Sequence, residues 1–240
     1  MKKVLGCIRR ACDDFRLIDP GDRIAVGVSG GKDSTLLLHA IRLYRYFSPV
    51  PFTFCAIHLQ MGFEDMDAAP LADYARQSGI DLHIVPTDIA AVVFDVRKEK
   101  NPCSLCAKMR RGALNNYAKQ LGCNKVALAH HMDDALETFF LSLFYEARIY
   151  TLSPRSYLDR TDLTLIRPML YLPEKHINNT VRRLSLPVIH NPCPANGRTK
   201  RQDMKEFISS IAAQIPGAKE KMLHALQNTG AYSLWDKAKT

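Results

Sequence analysis

The sequence predicts an α/β protein built on a mostly parallel, doubly wound sheet with helices on both faces. Three observations carry this expectation. Short β-rich apolar runs recur along the chain, most of them are followed by a stretch with apolar residues at helical spacing, and the first junction of the two is a glycine turn, "SGGKDS" at 29–34. Strands joined by helical crossovers pair in parallel and bury both faces, and 47% apolar residues in a chain of 240 supply the core they need.

Taken in order, "DRIAVGVSGG" is the first strand with its turn, and "KDSTLLLHAIRLYRYF" repeats Leu and Ile at helical spacing. "PFTFCAIHLQ" reads as a second strand, "MDAAPLADYARQSG" as a helix closed by Gly79, and "DLHIVPTD" as a third strand. Cys103 and Cys106 then fall in a loop before the helix "CAKMRRGALNNYAKQLG", which ends at Gly122 and leads into a fourth strand, "NKVALAHH". "DDALETFFLSLFYEA" opens with acids suited to the positive end of a helix. "LTLIRPML" is a fifth strand, "PEKHINNTVRRLSL" a helix with Pro173 near its first turn, and "KRQDMKEFISSIAAQI" a further helix. Residues 1–22 form an N-terminal helical extension, 23–215 the main domain with the cysteine loops, and 216–240 a C-terminal helix and tail. Ligands of such sheets bind beyond the carboxyl ends of the strands, so the loops after strands one, two and four form the candidate site.

Composition narrows the class. Apolar stretches fall short of a membrane span and no secretory signal is evident, so the chain reads as cytoplasmic with no membrane association. Seven cysteines in such a chain argue against a disulfide framework and favour metal, redox or catalytic roles for some of them. The net charge of +9 is concentrated. Residues 101–125 carry Lys108, Arg110, Arg111, Lys119 and Lys125 with no acid, and residues 175–205 carry seven Lys or Arg against Asp203. Basic windows of this kind favour an anionic partner such as a nucleic acid, the alternative being an ordinary solvated face.

Ser29 to Ser34 carry the clearest chemistry. Gly30 and Gly31 let backbone N–H groups approach an anion, the following helix adds its positive end, Lys32 adds charge, and Ser29 and Ser34 add hydroxyls. Such a loop suits a pyrophosphate. It is not a Walker A loop, because Val26 stands where the first glycine belongs and Asp33 follows the lysine where Ser or Thr would hold Mg²⁺. "AHHMDD", 129–134, lies at the junction of the fourth strand and its helix. His131 and Asp134 are its candidate functional residues, against the plainer reading of Asp133 and Asp134 as helix N-terminal acids. His58, at the end of the second strand, is a candidate for lining a nucleotide pocket. Cys103, Cys106 and the distant Cys193 offer three soft thiolates, which suit zinc, an iron-sulfur cluster or a persulfide-forming pair. Cys7, Cys12, Cys55 and Cys123 read as small buried residues.

On "DPGDRIAVGVSGGKDS", "NPCSLCAKMRRGAL", "AHHMDDALETFFLSLFY", "LIRPMLYLPEKHI" and "NPCP", in that order over residues 15–210, the chain resembles the PP-loop ATP pyrophosphatases and, within them, the TtcA-type tRNA 2-thiocytidine synthetases. The resemblance implies an adenine nucleotide alpha hydrolase-like fold of the PP-loop/HUP type. It implies ATP and Mg²⁺ as ligands, with Ser29, Gly30, Gly31, Lys32, Asp33, Ser34, His58 and His131 around the nucleotide and Asp33 and Asp134 toward magnesium. It also implies a [4Fe-4S] cluster on Cys103, Cys106 and Cys193, with zinc as the alternative, and one iron left open. The surroundings of Cys193, "CPANG", depart from the family pattern in having no second cysteine nearby. A tRNA cytidine would attack the α-phosphorus through its C2 oxygen, pyrophosphate would leave, and sulfur delivered at the cluster would replace the AMP-bearing oxygen. Lys32, Asp33, His131, Asp134 and the three cysteines are thereby the catalytic candidates. Arg110, Arg111, Arg198, Lys200 and Arg201 are candidates for gripping RNA phosphates. A sulfur donor such as a cysteine desulfurase is implied as a partner, and a homodimer is compatible with all of this. Two rivals stand beside it: a PP-loop enzyme thiolating or amidating another RNA base or a small metabolite, and a non-catalytic cluster- or zinc-containing RNA-binding protein.

Overall fold

The structure is a computed structural model that describes residues 1–63, 66–98, 102–190, 192–193, 200–227 and 230. It contains a six-stranded sheet of β1 (Arg23–Gly27), β2 (Thr53–Gln60), β3 (Leu82–Pro86), β4 (Lys125–Ala127), β5 (Arg155–Leu158) and β6 (Leu163–Ile166). The strand order is β3-β2-β1-β4-β6-β5, and every neighbouring pair is parallel except β5 with β6. β5 is the strand absent from the sequence expectation. Its four residues are alternately exposed and half-buried, as befits an antiparallel edge, and too short to stand out as an apolar run.

The central strand shows why both faces are covered. In β1, Ile24 and Val26 point to one face and Ala25 to the other, and all three are fully buried. On the first face they meet α1 (Lys2–Phe15), α2 (Lys32–Tyr44) and α6 (Glu174–Arg183) through Val4, Ile8, Leu37, Ile41 and Ile177. On the second, Ala25 joins Cys55, Ile57 and Val126 against Leu114 and Ala118 of α4 (Pro102–Gln120). α3 (Ala69–Gln77) and a π-helical turn at Ala91–Val96 complete the crossovers on the β2–β3 side. The chain turns outward from β1 through β2 to β3 and then returns to place β4 on the other side of β1, so the topological switch point lies between β1 and β4.

The chain divides into two compact units, residues 1–131 with 153–198, and 132–152 with 199–240. The segment 23–215 drawn from the sequence runs through both. The first unit holds the sheet. The second contains α5 (Met132–Glu146), α7 (Lys200–Gln214) and α8 (Ala218–Gln227), packed on Met132, Leu136 and Ile208 with Phe140, Met222, Leu223 and Leu226 around them. Among the described residues no helix is long and apolar enough to cross a membrane.

At the amino edge of the sheet, Lys125 is 2% exposed. Its ammonium reaches Asp22 at 2.6 Å, Asp19 at 2.7 Å and the Leu17 carbonyl at 2.9 Å. Asn124 donates to Asp22 beside it and accepts from the Arg23 N–H. A buried ammonium tolerates loss of water only with such a full complement of acceptors. Lys125 therefore leaves the basic window in which the sequence places it, and Lys119, paired with Asp162 at 2.8 Å, is engaged as well.

Candidate active site

The phosphate loop follows β1 directly. Gly30 has φ +85°, a conformation that glycine adopts without strain, and Gly31 is the extended residue that starts α2. The loop is braced from within. Ser34 Oγ donates to the Gly31 carbonyl at 2.9 Å and accepts the Ser29 N–H at 3.1 Å, and the two serine hydroxyls are 3.1 Å apart. His58 braces it from below: buried with no exposed surface, it donates Nδ1–H to the Val28 carbonyl at 2.8 Å. Burial holds the imidazole below its ordinary pKa, with the Arg110 charge adding to that, so the ring is neutral. Its bare Nε2 has no hydrogen-bond partner among the described residues. His58 thus supports the strand-to-loop junction from inside the core.

Lys32 and Asp33 open α2. The Lys32 ammonium contacts Asp33 Oδ1 at 2.7 Å and Glu174 Oε1 at 3.0 Å. Burial alone would lower the lysine pKa, but the two carboxylates outweigh it and hold the ammonium above its ordinary value. Asp33 Oδ1 stands 3.8 Å from His131 Nε2, and His131 is buried just beyond β4. Lys32, Asp33, His131 and Glu174 therefore form one polar cluster at the switch point. Glu174 escaped the sequence reading because its partner lies far away in the chain.

Beyond β6, Arg167 extends the same edge. Its Nε donates to His130 Nδ1 at 3.2 Å and a terminal nitrogen donates to the Ser153 carbonyl. A histidine accepting at Nδ1 in its neutral form carries its proton on Nε2, so Arg167 selects the tautomer of His130. His130 belongs to the AHHMDD segment singled out in the sequence, where His131 is preferred to it, and Arg167 has no role assigned; both follow strand ends on the functional edge.

The cysteines sit differently from expectation. Cys103 and Cys106 are not in a loop but in the first turns of α4, whose first residue is Pro102. Spaced three apart, they share a helix face, at the end where the helix dipole favours anions. Cys106 packs beside Leu105 and Met109 against Met61, Ile89 and Val93. Burial pushes its thiol above the ordinary value, Arg110 pulls it down, and the nearby Cys193 and Cys103 push it up. Cys106 thus lies within electrostatic reach of both Cys103 and Cys193, and three thiols, one exposed and two half-buried, are a donor set of the chemistry that an iron-sulfur centre takes. Among the described residues, no three His, Cys, Asp or Glu side chains are already gathered into one coordination sphere. Ile189, four residues before Cys193 in the chain, donates its N–H to the Gly30 carbonyl at 2.9 Å.

Asp133 and Asp134 begin α5 in the second unit. Lys219 holds Asp133 at 2.6 Å, and Arg201 reaches Asp134 at 3.2 Å and Glu137 at 3.4 Å. Arg201, read from the sequence as a phosphate contact, thus has carboxylate partners of its own. Lys200 pairs with Asp203 at 3.7 Å and lies 5.5 Å from the Tyr145 ring centre. Arg110 and Arg111 are exposed on α4, and Arg198 falls outside the described residues.

Comparison with known proteins identifies the family of the chain. The model of the PP-loop domain family matches residues 7–210. The tRNA-cytidine(32) 2-sulfurtransferase of Geobacter sulfurreducens is 37% identical over 238 residues, covering 98% of this chain and 93% of that protein. Its namesake from Syntrophotalea carbinolica is 37% identical over 239 residues, covering 98% and 91%. Among solved structures, the U34-tRNA thiolase NcsA from Methanococcus maripaludis, solved with its [4Fe-4S] cluster, superposes with a TM-score of 0.77 at 22% identity, covering 95% of this chain and 78% of that one. At that identity the likeness concerns the fold.

Proposed function

The chain belongs to the PP-loop family and, within it, to the tRNA-cytidine 2-sulfurtransferases, and from that membership we propose that it is an ATP-dependent enzyme that exchanges the C2 oxygen of cytidine 32 of tRNA for sulfur. The observation that carries the proposal is the link between Ile189 and Gly30, which ties the segment bearing the third thiol to the loop that would hold the phosphates.

ATP binds with its phosphates against Ser29–Ser34. The positive end of α2 stabilises the charge that develops as the cytidine oxygen attacks the α-phosphorus, and Lys32 neutralises the departing pyrophosphate. Asp33 is the carboxylate that would hold magnesium in the first unit, with His131 Nε2 3.8 Å from it. Asp134, the other carboxylate proposed for magnesium, is paired with Arg201 in the second unit. Cys103, Cys106 and Cys193 are the residues that would hold the [4Fe-4S] cluster, which would carry the sulfide that replaces the activated oxygen. Arg110 and Arg111 face the RNA backbone beside it. The reaction belongs in the cytoplasm, where tRNA and reduced thiols coexist, and it calls for a sulfur donor such as a cysteine desulfurase. A homodimer is compatible with it.

Nucleoside analysis of tRNA from a deletion strain tests the assignment. Loss of 2-thiocytidine, restored by the wild-type gene and not by Lys32→Ala, is the expected result; an unchanged nucleoside profile rules it out.

A further inference from the structure

The Lys32 ammonium has three N–H donors, and the resting structure commits it to two carboxylates of different origin. Asp33 is the next residue in the chain and travels with Lys32. Glu174 belongs to α6, where it is the first helical residue after Pro173, and its side chain is only 16% exposed, so the ion pair is screened little by solvent. Glu174 is not needed to fasten α6 to α2. Ile177 and Val181 already do so in the same apolar cluster as Leu36, Leu37 and Ile41. Its carboxylate therefore stands as an anion on a separate element, aimed at the cation that the phosphate loop reserves for another anion. Two anions draw on one ammonium, and the hold of one weakens the hold of the other.

We propose that Glu174 is a positioning residue that competes with the phosphate chain for Lys32, parking the lysine between turnovers and drawing it off pyrophosphate when the product leaves. The inference rests on reading Ser29–Ser34 as the nucleotide loop. Glu174 acts through Lys32. Its removal therefore tightens pyrophosphate binding, where damage to a merely structural contact would weaken it.

Calorimetric titration of the purified chain with sodium pyrophosphate, and separately with ATP, tests this without tRNA or a cluster. Glu174→Gln is expected to bind pyrophosphate roughly tenfold more tightly than wild type, equivalent to about 1.4 kcal/mol. Glu174→Asp, which keeps the charge but withdraws it by one methylene, is expected to tighten binding less, and it carries the test if the glutamine variant fails to fold. In a Lys32→Ala background the gain from Glu174→Gln should vanish, because the pair is then already broken. Unchanged or weaker binding in both Glu174 variants overturns the proposal. So does a gain that persists without Lys32, which would reduce Glu174 to a general repulsive charge. A wild-type chain that binds neither pyrophosphate nor ATP overturns the nucleotide-loop reading together with the proposal, whereas normal wild-type binding with an additive cycle overturns the proposal alone.

Discussion

Ile189 and Gly30 are locked together. The Ile189 N–H donates to the Gly30 carbonyl at 2.9 Å, and a Cβ added at residue 30 would lie 2.8 Å from both Cβ and Cδ1 of Ile189. Gly30 also sits at φ +85°. Gly30→Ala therefore combines a clash against a branched, 9%-exposed neighbour with a left-handed backbone that alanine resists. The expected cost is about 2–3 kcal/mol, with ATP binding lost because the loop must move to relieve the contact. Thermal unfolding with and without ATP measures both effects. A near-wild-type melting temperature that still rises with ATP would show that the loop absorbs the methyl group.

Lys125→Met strips the counter-charge from Asp22, which is 3% exposed, and from Asp19. Breaking a buried pair on one side costs about 3–5 kcal/mol, so urea denaturation at neutral pH should show a loss of that order. The hydrogen bond and charge of Lys125 hold the Asp19 carboxyl below its ordinary range, against a smaller desolvation effect. An acid lowered on folding stabilises above its unfolded pKa and loses that contribution as the pH falls through its folded value. Wild-type stability should thus decline in acid, and the decline should be shallower in Lys125→Met. Equal slopes in the two proteins would remove Lys125 as the cause.

Much of this was readable from residues close together in sequence. The phosphate loop is six consecutive positions, and strands β1 to β4 and β6 announce themselves by composition, so the functional edge was locatable. Legibility failed where a residue's role depends on a distant partner. Lys125 looks like part of a basic run until Asp19, 106 positions earlier, folds against it. Arg201 reads as a phosphate contact, and its pairing with Asp134 and Glu137 on α5 is invisible from the sequence. Glu174 looks like an ordinary acid at a helix start. The start of α4 was legible after all, because Pro102 stands at the first helical position, where proline is favoured, and the loop reading of Cys103 and Cys106 overlooked that signal.

Glu137 sets a pH dependence in the second unit. Burial, reinforced by Asp134 and Asp133 and opposed by Arg201 and Lys205, pushes its carboxyl up to about 7. An acid raised on folding binds more protons in the native state, so its contribution is complete below the ordinary glutamate pKa and is lost as the pH rises toward 7. Glu137→Gln mimics the protonated form and should stabilise the protein above pH 7 while changing little near pH 4. The expected gain is about 1 kcal/mol, kept small because Arg201 and Lys205 offset part of the burial. Melting curves across that range check it, and a variant destabilised at pH 8 would show that the Arg201 contact outweighs burial.

Cys193 supplies the test of the thiol set, and two independent readouts converge on it. In the metal-free protein Cys193 is one of the groups that push the Cys106 thiol up. Cys193→Ser should therefore lower the Cys106 pKa and speed its alkylation near pH 8, when cleavage peptides are followed by mass spectrometry. This readout requires only that the two thiols be neighbours. Anaerobic reconstitution then asks whether the neighbours share a cluster. Wild type should retain about four irons with matching acid-labile sulfide, the content of a [4Fe-4S] centre, and Cys193→Ser should lose most of both, since two thiolates hold such a cluster poorly. Stoichiometric zinc in place of iron would instead make Cys103, Cys106 and Cys193 a tetrahedral site completed by a fourth ligand, and the sulfur would need another carrier. Faster Cys106 alkylation with no change in iron content would keep the geometry and remove Cys193 from the ligand set.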